Sequence, residues 1–186
     1  ARIRPHFLFN SMNTIASLIA SRPEAAEDAV EDLADLFRAS LGDERRLVPL
    51  ADEVELVRRY LRIEAERLGG RLQVEWALEG LPEGVRVPPL TLQPLVENAV
   101  YHGIEPSPQG GTLRIRGERQ AGRAVLCVDN PLPPDGSPPR AGNRLALDNI
   151  RERLVAHFGA AASLETAETD GRFRVTLRVP VGGAAA

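Results

Sequence analysis

The chain contains no lysine: all 23 of its basic side chains are arginine, a bias that suggests GC-rich coding. With 26 acidic residues against them the net charge is −3, so there is no basic footprint for nucleic acid and direct binding to it is not expected. Cysteine is nearly absent. The single Cys127 sits in an apolar run, which excludes a disulfide framework and a thiolate metal cluster and makes a reducing compartment the default. No run of about 18 apolar residues could cross a membrane, and no signal peptide is visible. An initiating methionine is also missing; the chain starts at Ala1 inside what reads as a helix, as expected of a fragment.

What is present is enough for a packed core: 186 residues, 43% of them hydrophobic. The first third reads as three amphipathic helices. Leu8, Met12, Ile15 and Ile19 recur at helical spacing with Phe7, Ser11, Thr14 and Leu18 beside them. Ser21 and Glu24 read as a capping box opening a second helix, with Pro23 in its first turn and a stripe of Ala26, Val30, Leu33, Phe37 and Leu41. Gly42 ends it. A third helix runs from Leu50 to Leu68, carries Val54, Val57 and Leu61 on one face, and stops at Gly69-Gly70. So many apolar faces predict dimerisation through a helical bundle.

After Gly70 the period changes from helical to alternating. Strands are expected at 71–78, 112–118, 123–129, 163–168 and 172–179, the last two joined by Asp170-Gly171, the favoured centre of a type I′ hairpin. Helices are expected at 91–102 and 144–158. Hairpins with inserted helices predict an α+β fold built as a two-layer sandwich. The boundaries are 1–69 for a helical region, 70–181 for the sandwich and 182–186 for a disordered tail.

The most informative stretch is "LQPLVENAVYHG", residues 92–103. Leu92, Leu95, Val96 and Ala99 make a core stripe; Glu97, Asn98, Tyr101 and His102 take the other faces, with Asn98 and His102 neighbours at i, i+4. An amide oxygen fixed on a packed helix is a suitable hard ligand for Mg²⁺, which keeps several waters and favours nucleotide phosphate oxygens; the plainer alternative is a helix whose polar face meets water. Asp129, ending the strand "AVLCVDN", is either a turn former or a carboxylate that accepts from a buried adenine amino group. A long Pro-rich loop, "PLPPDGSPPRAG", follows, of the kind that forms lids. It leads into "GNRLALDNIRERL", a helix whose first N–H groups suit phosphate oxygens.

These segments, with "PHFLFNSMN" at 5–13 and "YLRIEAERL" at 60–68, occur in the order seen in the LytS/YehU-type sensor histidine kinases, which carry a Bergerat-fold ATPase domain. The match covers nearly the whole chain, and "GNRLALDN" most resembles the alginate-regulating sensors of the AlgZ kind. The resemblance implies that His6 is the phosphoacceptor and that ATP and Mg²⁺ are used, Asn98 holding the metal and Glu97 polarising the attacking group or the metal's water. Asp129 reads adenine. His102, Gly142, Arg144 and Asn149 complete the nucleotide site. Phe7 stands where many histidine kinases have an acid, so Asn10, one turn on, is the candidate to hold the His6 ring. The resemblance further implies a homodimer, a response regulator partner with a LytTR-type DNA-binding domain, and a preceding membrane-embedded sensor, making this the cytoplasmic part of an inner-membrane protein.

The pattern breaks at its glycines. Asn130-Pro131-Leu132-Pro133 replaces Asn-Gly-x-Gly, and Gly142-Asn143-Arg144-Leu145-Ala146 replaces Gly-x-Gly-x-Gly. Lost glycines cost positive φ and close backbone approach to phosphate. Arg144 either forks onto phosphate oxygens or plugs the pocket. An active kinase and a pseudokinase scaffold of the same fold are therefore both open; a serine kinase of the anti-sigma type leaves the His6 segment unexplained.

Overall fold

The computed structural model describes residues 4–43, 45–134 and 143–182, with side chains from Leu145 onward in the last segment. The position of Gly142, the Arg144 side chain and the tail beyond Gly182 lie outside the described residues. Three helices open the chain: α1 (Pro5–Ile19), α2 (Pro23–Ser40) and α3 (Leu50–Leu68). A two-residue strand β1 (Val48–Pro49) precedes α3 and pairs with β3 (Arg86–Val87). The main sheet comprises β2 (Leu72–Gly80), β4 (Gly111–Gln120), β5 (Arg123–Pro131), β6 (Ser163–Thr169) and β7 (Arg172–Pro180), in the order β2-β4-β5-β7-β6. β2 and β4 are parallel and every other pair is antiparallel. That parallel crossover is made through α4 (Gln93–Ala99); α5 (Asn143–Phe158) connects β5 to β6.

The expected α+β architecture is thus the observed one. Both hairpins turn on residues with positive φ at their two central positions, Ala121-Gly122 (49° and 76°) and Asp170-Gly171 (54° and 70°), the type I′ signature. Strand parity places Leu113, Ile115, Leu126, Val128, Val175 and Leu177 in the core. On the opposite face Glu75, Arg114, Asp129 and Arg174 stand directly across from one another on four neighbouring strands, a ladder of alternating charge.

Three expectations fail in the helical region. α1 buries Phe7, Ser11, Thr14 and Leu18, while Met12 and Ile19 of the expected stripe are 59% and 60% exposed, and Phe9 is exposed with them. α2 is rotated likewise: Ala26, Ala29, Asp32 and Leu36 face inward and Val30 and Leu41 face out. The cause is Asp32, which is buried because Arg62 reaches it with two hydrogen bonds of 2.8 and 2.6 Å, with Arg59 at 3.3 Å. Hydrophobicity alone does not see that ion cluster. The capping box also does not form: Arg22 occupies the N-cap, and the Ser21 hydroxyl donates backward to Ser17 O. With Pro23 as the first helical residue, Ser21 lies one position too early to reach the free amides.

One hydrophobic core runs unbroken from Phe7 to Val179, so the change of period at 69–70 marks a change of local structure within that core. α3 also fixes the start of α4. Glu53 is buried, and its carboxylate accepts from the backbone N–H groups of Leu90, Thr91 and Leu92 at 2.7, 2.9 and 2.9 Å. Burial pushes the Glu53 carboxyl up in pKa, and those three donors pull it back. From α5, Arg153 donates to the carbonyls of Pro89 and Leu90 at 2.6 and 2.7 Å. The turn before α4, in which Leu90 adopts φ 54°, is clamped from both sides.

Candidate functional site

α4 continues into a π-helical turn (Val100–Ile104), and the two together carry every polar residue of the 92–103 motif. The wider turn brings Gly103 against β5. A Cβ at Gly103 would lie 2.2 Å from Asn130 Nδ2, so glycine is required there by close approach. Asn98 and His102 line a cavity of about 160 Å³ between this segment and the sheet, with Asn130, Phe173 and Val175 on the sheet side. Asn98 is buried, and its Nδ2 has no hydrogen-bond partner.

Glu97 faces the other way. It lines a cleft of about 440 Å³ with Pro94, Arg153 and Asn149, the last exposed on α5. It also lines a narrow cleft shared with His6, Tyr101 and Glu105. Burial pushes the Glu97 carboxyl up to about 7, against the 2.8 Å hydrogen bond from Gln93 Nε2 and the positive charge of Arg4. A carboxyl whose folded-state pKa lies above its unfolded value of 4.5 is held more comfortably protonated. Stability from it is full below pH 4.5, falls as pH rises to about 7, and stays lost above that. Glu97→Gln is therefore expected to be more stable than the parent chain by about 2–3 kcal/mol at pH 8, and equal to it at pH 4, in denaturant titrations at the two pH values.

His6 lies in the first turn of α1, its side chain about half exposed. Its ring is edge-on to Tyr101, with centroids 5.7 Å apart, and Nε2 is 3.9 Å from Glu105 Oε1. The Asn10 amide nitrogen stands 3.3 Å from Nδ1 and 3.2 Å from Nε2. Glu105 is held by Arg67, which also pairs with the buried Glu64. α1 packs against α2 and α3, and from its first turn the His6 ring reaches Tyr101 of the α4 segment.

Asp129, expected to read adenine, is engaged on the sheet face away from the helices. Strand parity turns Val128 and Asn130 toward the helices and Asp129 toward the outer face. There Arg172 Nε donates to its Oδ1 at 2.6 Å and Arg174 to its Oδ2 at 3.3 Å. Desolvation pushes its carboxyl up, but these two guanidinium groups outweigh it and hold the group below the ordinary aspartate range. The residue on the cavity wall is its neighbour Asn130, which sequence reasoning passed over; the run Ala124 to Val128 is apolar on both faces and gives no alternation that could have shown which residue points inward.

Among the described residues no group of three or more His, Cys, Asp and Glu side chains could hold a metal ion. The Asn98 oxygen is nevertheless presented to a cation: Arg4 donates to its Oδ1. A hard neutral oxygen on a rigid helix fits Mg²⁺ shared with a nucleotide's phosphates. No helix among the described residues is long and apolar enough to cross a membrane.

A model of the histidine kinase family matches residues 1–72. The sensor histidine kinase BtsS of Escherichia coli K12 is 35% identical over 183 residues, covering 97% of this chain and 32% of BtsS. The sensor histidine kinase/phosphatase LytS of Staphylococcus aureus MRSA252 is 32% identical over 182 residues, 91% of this chain and 31% of LytS. The chain thus spans about a third of the length of these curated relatives. Among solved structures, the Acinetobacter baumannii histidine kinase AdeS shares the fold with a TM-score of 0.52 at 18% identity, over 90% of this chain and 84% of that one. The catalytic domain of histidine kinase ThkA does so at 0.52 and 17%, over 73% and 95%. With the ordered motifs, the two-layer fold and these relatives in agreement, the chain belongs to the LytS-type sensor histidine kinases.

Proposed function

We propose that this chain is the output end of a two-component sensor: an ATP-dependent protein histidine kinase that phosphorylates its own His6 and passes the phosphoryl group to an aspartate of a response regulator of the LytTR DNA-binding type. The observation that carries this reading is the two-sidedness of α4. Asn98 faces the cavity bounded by Asn130, while Glu97 and Tyr101 share a cleft with His6, so a nucleotide site and an acceptor site meet on one helix.

In this reading Asn98 Oδ1 holds Mg²⁺, which neutralises charge on the transferring phosphoryl group. Asn130 contacts the base. Its Nδ2 donates to Pro131 O at 2.8 Å, which leaves Oδ1 as the acceptor for adenine's amino group. Asn149 and the start of α5 border the phosphates. A neutral nitrogen of His6 attacks the γ-phosphorus, the bond to the bridging oxygen breaks, ADP leaves, and Asn10 steadies the ring. The exposed Phe9, Met12, Ile19 and Val30 support dimerisation through α1 and α2. By the family resemblance, the stimulus is read by a membrane-embedded sensor region that this chain does not include.

A pseudokinase scaffold is favoured by one observation: Pro133, standing where a glycine is expected, walls the cavity together with Leu132. Calorimetric titration with ATP, with and without Mg²⁺, separates the readings. A kinase is expected to bind in the micromolar range with magnesium, and Asn98→Ala to lose about tenfold or more. Asn130→Ala is expected to weaken binding about tenfold and Asp129→Asn by less than about twofold. No heat of binding from the folded protein or from its Arg4→Ala variant means a scaffold.

A further inference from the structure

Arg4 is the residue in this region to which neither the motifs nor the relatives give a part. Pro5 disfavours helical geometry at the residue before it, and Arg4 is extended, with φ −67° and ψ 129°. Its side chain leaves the axis of α1 and ends on α4. The guanidinium donates to Asn98 Oδ1, lies 3.8 Å from Glu97 Oε2 through Nε, and stacks 5.0 Å from the centre of the Tyr101 ring. Hydrogen bond, ion pair and cation–π contact all converge from one side chain, three-quarters buried, on three residues of one helical segment.

The Asn98 amide is oriented for this partner. Its oxygen meets the guanidinium, while its buried Nδ2 is left without an acceptor. An orphaned buried N–H is costly, and the orientation persists because the oxygen is held by a cation.

We propose that Arg4 is a built-in competitor of the magnesium–nucleotide complex, an autoinhibitory plug whose guanidinium must leave Asn98 before the metal can bind there. The proposal rests on the reading that Asn98 is the cation-binding oxygen. A guanidinium and a divalent metal ion on the same neutral oxygen repel each other at contact distance, so loading the site displaces Arg4. Only Pro5 separates Arg4 from His6, so a shift of the first turn of α1 carries both residues with it. Metal–nucleotide binding and the docking of the His6 turn are then coupled, and the coupling is reciprocal: a displacement of α1 that withdraws Arg4 raises nucleotide affinity. A sensor that moves this helix has, in Arg4, a direct means of opening the nucleotide site.

The test is titration of the chain and its Arg4→Ala, Arg4→Gln and Asn98→Ala variants with a non-hydrolysable ATP analogue, in Mg²⁺ and in chelator. Both Arg4 variants are expected to bind the magnesium complex about tenfold more tightly than the parent chain, a gain that disappears in chelator. Saturating the parent chain should also speed amide exchange in residues 5–11. Equal or weaker affinity in both Arg4 variants, with binding retained and lost only in Asn98→Ala, overturns the plug and leaves the nucleotide site standing. Binding by none of the four proteins overturns both. Binding by the Arg4 variants alone would establish the plug in its strongest form.

Discussion

Glu53→Ala is expected to destabilise the chain by about 4 kcal/mol and to abolish nucleotide binding at temperatures where the variant is still folded. The substitution removes one buried carboxylate and strands three buried amides, those of Leu90, Thr91 and Leu92. Each unpaired buried donor costs about 1–3 kcal/mol, so even partial rehydration leaves a loss of this size, out of a total stability of roughly 5–15 kcal/mol. Urea unfolding should show a lower midpoint with an unchanged slope. Glu53→Gln is the informative companion. Its single carbonyl oxygen can keep the Thr91 and Leu92 bonds, but its NH₂ then opposes the Leu90 N–H, so an intermediate loss of about 1–2 kcal/mol is expected. The functional effect follows from position. Leu92 is the residue from which α4 starts, and Glu97 and Asn98 lie within the next two turns, so a frayed start displaces both. Equal losses in the two variants would mean that the carboxylate does not hold the turn.

Much of this arrangement could be read from the sequence, and the parts that could not share a cause. The type I′ turn at Asp170-Gly171, the alternation of β4 and β7 and the helical character of residues 50–68 are local properties, and each appears where its pattern puts it. Faces and partners are not local. The inward face of α2 is set by Asp32 meeting Arg59 and Arg62 from α3, two groups some thirty residues away that turn a polar position into a buried one. Glu53 reads as one more surface acid in "ADEVELVRR" until the turn before α4 is folded over it. Asp129 and Asn130 are separated by the smallest possible margin. In a strand a one-residue offset reverses the face, and the motif that places an aspartate before an asparagine does not say which of the two points inward. The neighbours decide: Arg114 and Arg174 flank Asp129 in register on the outer face, whereas Gly103 leaves room for Asn130 within.

His6→Gln is expected to reduce incorporation of label from γ-labelled ATP to background, a loss of at least about a thousandfold, while leaving Mg-ATP binding within about twofold of the parent. Glutamine keeps the length and polarity of the side chain but has no unprotonated ring nitrogen to attack phosphorus, and it cannot form the phosphoramidate. The label on the parent chain should be lost in acid and survive base, as a phosphorylated histidine does and a phosphorylated serine does not. The surroundings of His6 make a graded expectation for its neighbours. Asn10, 3.2–3.3 Å from both ring nitrogens, restricts the ring without entering the reaction, so Asn10→Ala is expected to slow labelling about tenfold and to leave ATP affinity unchanged. Unchanged labelling in that variant would remove Asn10 from the site. If His6→Gln retained the label, the acceptor would lie elsewhere in the chain, and the cleft that joins His6 to Glu97 and Tyr101 would be no more than packing between α1 and α4.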